Sequence, residues 1–472
     1  MTQAIIQPGA LFKQIKPILD SKNTNYPTGL GIAHGTCQSV AIAGYTMGGG
    51  WGPWTRLHGM GCERLAGATI VLGDGSIRYL GTSAIYHNEN SQYNDEQNNN
   101  LLWAIRGGGG LSYGIVTEFF FIPFKLPEFP TSFVIKSTDF ITKIKAIDII
   151  AAWEKVIEPH NNPHLIGTNL QVIAKGVACD EDVSDDAVLD WQFNGHFGGT
   201  RGEFEKMIND WAESVIIRIN NNPYYDDAQK YVMIKDIKQE VVKILNPSNI
   251  NIQTSVTVKN TQGYPFIFES WDRRLNNGLS LEVDCPAPHK LTSRMPTPKW
   301  DETSRKQLVR SLQSTLLNVN KCEPSNFSAT DDKDTSIEAY ITLGAISGKF
   351  YAEKQNLPEP ERIKISFPYQ DRAFTIQYQA WWNQSSGKYC EMSPETKEQK
   401  IPTRFHENRA QDWIETCREF HIPHTSGSFI SFKDASVPTK DYFSDNYQAL
   451  INTKLTSSKD EKCLLRSRKT II

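Results

Sequence analysis

Apolar and polar positions along the chain follow two different rhythms, and the change between them divides the sequence. Residues 3–20 read as a short strand, a Pro-Gly turn and an amphipathic helix. From 29 to 125 short apolar runs alternate with glycines, and "GATIVLGDGSIRYLG" predicts a β-hairpin turning at Asp74-Gly75. The polar stretch "HNENSQYNDEQNNN" (87–100) predicts an exposed loop. Two apolar segments around a glycine run follow, in "LLWAIRGGGGLSYGIVTEFFFIPF".

Composition changes after "KLPEFP" (125–130). Residues 139–157 place Ile141, Ile144, Ile147, Ile150, Trp153 and Ile157 at helical spacing. Strand-like runs then alternate with polar helices: "LIGTNLQVIA", "DWQFNGHFGG" before "EFEKMINDWAESVI", "SIEAYITLGAISGKF" and "FTIQYQAWW". This predicts a mixed α+β unit over 126–425, preceded by a glycine-rich unit over 1–125. The tail from 426 to 472, with "SGSFISFKDASVPTKDYFSDNYQALINTK", predicts a strand, a turn and a short helix. No internal repeat is present.

The length of 472 residues, 39% apolar and 22% charged, suits a globular protein with a large core. A formal net charge of −3 gives no general attraction to nucleic acid or to an anionic membrane. No apolar run approaches the roughly 18 residues that a membrane span needs. The eight cysteines are scattered without a CxxC pair or Cys/His ligand spacing, which argues against a zinc site and against a small disulfide scaffold. The N-terminus lacks the basic start and long apolar centre of a signal peptide, and the compartment is left open.

Candidate chemistry sits at the glycine runs, 48–50 and 107–110. Neither matches a Walker loop or a strand–GxGxxG–helix nicotinamide fingerprint. Each alone serves equally as a tight turn or a ligand cradle. Two runs in one unit, flanked by strands and by Trp51, Trp54, Trp103 and Tyr113, point to a cofactor site. Cys37, in "GTCQSVAIAGYTMGGGWG", is on base rates a small buried hydrophobe. A thiolate on the turn entering a glycine-lined cleft is also placed to attack an electron-poor cofactor ring. The other seven cysteines read as structural.

The stretches "GTCQSVAIAGYTMGGGWGPWTRLHGMGCERLAGATIVLGDGS", "LLWAIRGGGGLSYGIVTEF" and, in the tail, "YFSDNYQALINTK" resemble the berberine bridge enzyme-like flavoproteins of the vanillyl-alcohol-oxidase superfamily. The middle of the chain matches only loosely. The resemblance implies an α+β, two-domain FAD-binding fold whose mixed α+β substrate domain is built on an antiparallel sheet. The FAD-binding domain would be 1–125, the substrate domain 126–425, and 426–472 would return to the FAD-binding domain. It implies FAD bonded through Cys37 to C6 of the ring, with Thr36, Val40, Gly44, Thr46 and Gly48 along the flavin. Gly114, Ile115 and Val116 match the segment beside the adenine end, and Asn446 and Tyr447 match tail residues that close over the flavin.

The sequence also departs from the family. An Arg-x-Gly-Gly-His segment, which carries a second covalent link through histidine, precedes this point in family members; this sequence begins after it, so the resemblance implies a shortened, less stable flavin domain. His34 lies on the wrong side of the turn to replace that histidine. Ala43, Tyr45 and Glu63-Arg64 stand where Gly, His and Asp-Asn are usual. The positions of the family's catalytic base match Gln377 and Phe429, with Ser431 for an Asn; neither Gln nor Phe takes a proton near neutral pH. Tyr369, Asp371 and Tyr378 are the nearby candidates, although strand alternation puts Tyr378 opposite Gln377, where core packing is its plainer role. Arg372 serves equally as a surface charge. Trp271, Trp381 and Trp382 suggest an aromatic-lined pocket, or simply core.

The implied activity is that of an FAD-dependent oxidase. It passes a hydride from an alcohol or amine carbon of a small molecule to flavin, which molecular oxygen reoxidises. The alternative is a catalytically inactive relative that keeps the shape and binds flavin poorly. The sequence does not choose a substrate or an oligomeric state.

Overall fold

A computed structural model describes residues 2–20, 29–37, 40–82, 95–127, 131–178, 181–246, 253–254, 289–317, 337–382, 404–462, 464–466, 469 and 471. Two antiparallel sheets organise the chain. The smaller has four strands, β1 (Ala4–Ile6), β2 (Leu65–Val71), β3 (Ile77–Leu80) and β4 (Ile115–Phe121), in the order β1-β4-β2-β3. Its hairpin turns where expected: Gly75 takes a positive φ of 85°, and the Asp74 carboxylate accepts from the Ser76 backbone N–H at 2.9 Å. Leu65, Ala68, Ile70, Phe119 and Phe121 pack beneath it. They meet Leu101 and Ile105 of a helix over Glu96–Ile105, and Tyr442, Phe443 and Leu450 from the C-terminal part of the chain.

The larger sheet has seven strands: β5 (Thr131–Lys136), β6 (Leu165–Ile173), β7 (Trp191–Phe197), β8 (Gln253–Thr254), β9 (His289–Arg294), β10 (Ile337–Ala345) and β11 (Phe374–Trp382). Their order is β8-β5-β7-β6-β10-β11-β9, with every neighbouring pair antiparallel. Period-two alternation gives the sheet two unlike faces. One carries Leu170, Val172, Phe193, Ile341, Leu343, Ile376 and Tyr378, and joins Trp153, Trp211 and Trp413 from three covering helices in one core. Tyr378 is fully buried there, its hydroxyl 3.0 Å from Ser311 Oγ. The other face is polar.

Three local expectations need correction. The helix predicted over 139–157 spans Ala146–Ile157; Ile141 lies before it, 85% exposed. The exposed loop predicted over 87–100 ends earlier, because Asp95 caps a helix by accepting from Asn98 N–H at 2.6 Å, so Glu96–Asn100 are helical despite their polarity. The start of that stretch lies outside the described residues. The predicted strand "SGSFISF" is an irregular segment: Ser426 and Ser428 N–H bond the Met295 and Asp441 carbonyls, Phe429 N–H bonds Ser293 Oγ, and Phe429 and Ile430 pack into two different hydrophobic clusters, so no ladder forms.

Candidate active site

The site is built where the glycine runs of the smaller unit press on the polar face of the larger sheet. A Cβ on Gly344 would lie 2.3 Å from the Trp51 ring, and one on Gly167 would lie 2.0 Å from the Pro53 carbonyl oxygen. Only glycine admits this approach. Trp51 Nε1 donates to the Ala345 carbonyl at 2.9 Å. Deeper in, Glu63 is fully buried, with both carboxylate oxygens 2.8 Å from Lys354 Nζ. Burial pushes this carboxyl up despite the lysine. Arg56, equally buried, donates to the Ile157 carbonyl at 2.6 Å and to that of Ser347; burial lowers it to about 9.

Gly48 to Gly50 are not an open cradle. Gly49 and Gly50 have φ of 96° and 82°, and their backbones are held by Cys62 N–H and Gly61 N–H, at 3.1 and 2.8 Å. Cβ atoms there would meet Phe367 and Phe429, or Tyr45 and Gly61. Ser431 Oγ donates to the Gly48 carbonyl at 2.9 Å. The open stretch lies just ahead: Thr36 and Cys37 are partly exposed, Val40 is 38% exposed, and a Cβ on Gly44 would meet nothing within 4 Å. Thr46 is fully buried, yet its Oγ1 has no hydrogen-bond partner among the described residues. A hidden hydroxyl without a partner costs free energy. A polar ring edge entering beside residues 36–46 would satisfy it, so the residues present fit a flavin along this side.

The second run joins the first. Gly109 N–H donates to the Met47 carbonyl at 2.8 Å. Asn446 Nδ2 donates at 3.1 Å to the carbonyl of Ser366, whose hydroxyl bonds Ala104 and Arg106. Tyr447 stacks parallel to Phe443, which covers Gly109. Asn446 and Tyr447 thus brace the second glycine run. Gly114 precedes β4, which Ile115 and Val116 begin; Ile115 is 55% exposed, and Gly114 is pressed against Ile70 and Val71.

Gln377 and Phe429 meet through Ser293. Ser293 is the register partner of Gln377, and its Oγ accepts from Phe429 N–H at 3.0 Å. Gln377 is half-buried on the polar face; Phe429 is 1% exposed, edge-on to Phe367 and Phe432. Tyr369 is placed differently. Its hydroxyl donates to the Asp441 carbonyl under Gly427, and burial pushes it well up. Arg372 lies over the Tyr369 ring and pairs with Asp371 at 3.3 Å. Trp381 stacks on His289 at 4.3 Å; Trp271 lies outside the described residues.

Sequence reasoning missed the row of amides and hydroxyls beside Gln377. The register aligns Ser293, Gln377, Thr342, Gln171 and Gln192 across five strands. Next to them Gln379 accepts from Tyr340 and Trp381, each at 3.2 Å, and donates to Thr342 at 3.3 Å. Gln171 Oε1 is buried without a partner among the described residues. The signal was the polar set in "TNLQV" and "TIQYQ", polar at alternate positions of otherwise apolar strands. Among the described residues no three His, Cys, Asp or Glu side chains converge as a metal would need, and no helix is long and apolar enough to cross a membrane.

Residues 1–81 match the family model of an FAD binding domain. The chain is 27% identical over 215 residues to a glucooligosaccharide oxidase of Sarocladium strictum, which is 44% of this chain and 36% of that protein. It is 32% identical over 131 residues to berberine bridge enzyme-like 12 of Arabidopsis thaliana, covering 28% and 21% of the two. The sequence match therefore spans about a third or less of these relatives' length. Among solved structures, the glucooligosaccharide oxidase of Acremonium strictum superposes with a TM-score of 0.59 at 17% identity, over 100% of this chain and 78% of that one. The FAD of that oxidase is described as 6-S-cysteinyl, 8α-N1-histidyl. The fold is that of these solved FAD oxidases, and residues 1–81 resemble an FAD binding domain.

Proposed function

We propose that the chain is an FAD-dependent oxidase of a hydroxyl-rich small molecule, with the cofactor bonded to Cys37. The observation that carries this is the partly exposed Cys37 beside partly exposed Thr36 and exposed Val40 and Gly44, backed by a buried Thr46 hydroxyl with no hydrogen-bond partner among the described residues. When bound, FAD would accept a hydride from the substrate carbon and hand its electrons to molecular oxygen. Thr36, Val40, Gly44 and Thr46 would hold the ring, and Gly48 would back it by fixing Ser431. Attachment at Cys37 would balance with oxygen as oxidant: the thiol and C6 would each lose a proton to form the S–C bond, and the two electrons and two protons would leave as hydrogen peroxide.

The chain's own contribution to specificity is the polar sheet face. Gln377 is its partly exposed amide, in register with Thr342 and Gln171, and the buried Tyr340–Gln379–Thr342 bonds hold that row, which suits a ligand bearing hydroxyls. Trp381 gives an apolar ring beside them. Relatives named as oxidases of glucooligosaccharide, chitooligosaccharide and xylooligosaccharide support a carbohydrate. A second reading, a non-enzymatic relative, draws support from Gln377 and Phe429, which accept no proton, and from the engaged Tyr369 hydroxyl.

Purified protein decides between them. The oxidase reading expects a flavin band that survives acid precipitation, and a Cys37 peptide heavier by one flavin. Cys37→Ala should lose the covalent band completely while still binding FAD reversibly. A colourless, folded protein supports the second reading; a yellow protein with unmodified Cys37 removes the attachment claim.

A further inference from the structure

We infer that His34 and Trp54 form a positioning pair that sets the turn presenting Cys37; this rests on the reading of Cys37 as the flavin attachment point. His34 lies three residues ahead of the thiol and is 3% exposed. The Trp54 indole N–H, which only donates, lies 2.9 Å from His34 Nε2, so that nitrogen carries no proton. The remaining ring proton is on Nδ1, 2.7 Å from the Gly35 carbonyl oxygen, which only accepts. Two partners of opposite character thus fix one tautomer. The other tautomer would set N–H against N–H and lone pair against lone pair.

The pair is anchored on both sides. Trp54 is 1% exposed and sits in the loop that ends the glycine run. A Cβ on Gly52 would lie 2.1 Å from the His34 carbonyl oxygen, so the two backbones touch where only glycine fits. Phe12 packs beside His34, its ring centroid 5.7 Å from the imidazole. Residues 34 and 35 are therefore clamped by 52–54, while Thr36 and Cys37 beyond them stay partly exposed. Bond formation needs sulfur and ring carbon held near contact, and a thiol on a loose turn spends little time there. The clamp confines it. His34 is thereby a positioning residue, although it lies on the wrong side of the turn to bond the flavin itself.

The test uses the full chain with ¹⁵N-labelled histidine, His34 being assigned by difference with His34→Phe. The wild type should show the Nδ1–H tautomer at neutral pH, and Trp54→Phe should lose it. Covalent attachment on adding FAD, followed by the mass of the Cys37 peptide, should slow at least tenfold in Trp54→Phe. Reversible FAD affinity, measured in the Cys37→Ala background, should be unchanged by Trp54→Phe. An Nε2–H tautomer in the wild type overturns the proposal, as does an unchanged attachment rate. Should the wild type take up no flavin, the oxidase reading fails and iodoacetamide labelling of Cys37 decides. A rate altered several-fold by Trp54→Phe then supports the clamp, and an equal rate overturns it. If Trp54→Phe does not fold, His34→Phe, which keeps the ring's shape without its nitrogens, is read in its place.

Discussion

Replacing Gln377 with glutamate should speed substrate oxidation by about 10²–10⁴-fold, the usual contribution of a positioned general base, or roughly 3–5 kcal/mol of barrier. Gln377 is half-buried on the polar face, in register with Thr342 and with Ser293, whose Oγ accepts from Phe429 N–H. A glutamate there keeps the shape and gains a proton acceptor. Partial burial should raise its pKa, so the gain should grow with pH through the acid range and then level off. Phe429→Tyr is the weaker restoration, because its ring is 1% exposed between Phe367 and Phe432 and a new hydroxyl would need a partner there. Tyr369→Phe should leave the rate unchanged and cost about 1 kcal/mol of stability, since it removes the hydroxyl's bond to the Asp441 carbonyl. Anaerobic stopped-flow bleaching of the flavin band with sugars, benzylic alcohols and amines measures all three. A fast wild type that Gln377→Glu does not change, slowed instead by Tyr369→Phe, would show that the base has been misassigned.

What could be read from the sequence was whatever depends on neighbours in the chain. The alternation Ile376, Gln377, Tyr378, Gln379 gave β11 and its two faces, and Asp74-Gly75 gave the hairpin, because both signals lie within a few residues. The Cys37 turn and the glycine runs were equally visible. What those glycines do was not. Gly49 makes room for Phe367 and Phe429, which come from far along the chain, and Gly50 for nearby Tyr45 and Gly61. The polar segment at 96–100 became helical because one capping aspartate and buried Leu101, Leu102 and Ile105 outweigh weak propensity. Phe429 looked like a strand residue for the opposite reason. Its alternating pattern fits an irregular segment as well as it fits a strand, and what tells them apart is where the segment's N–H groups go: to Ser293 Oγ and to the Met295 and Asp441 carbonyls rather than along a ladder.

The same interior makes the protein acid-sensitive through named groups. His58 stacks on Phe124 with ring centroids 3.7 Å apart, and burial, with smaller contributions from Arg64 and Lys349, lowers it to about 3. His196, fully buried in β7, is lowered to about 3 by burial and then by His34. Both values lie below the ordinary histidine value of 6.5, so the unfolded chain binds more protons than the native one between pH 6.5 and about 3. Their contribution is complete above pH 6.5 and is lost as pH falls, by roughly 2 kcal/mol per histidine at pH 5. Glu154 opposes them. It accepts from Trp300 Nε1 at 2.9 Å, and burial raises it to about 7, so here the native state holds the extra proton. Ionising it between its ordinary value and about 7 costs stability as pH rises, up to roughly 3 kcal/mol. His58→Phe should therefore reduce the stability lost between pH 8 and pH 5 by about 2 kcal/mol, and Glu154→Gln should increase it by a similar amount. Urea unfolding of the three proteins at both pH values reads the difference, and the opposite signs guard against a general effect of substitution. If both variants lose as much stability as the wild type, neither buried group governs the acid limb.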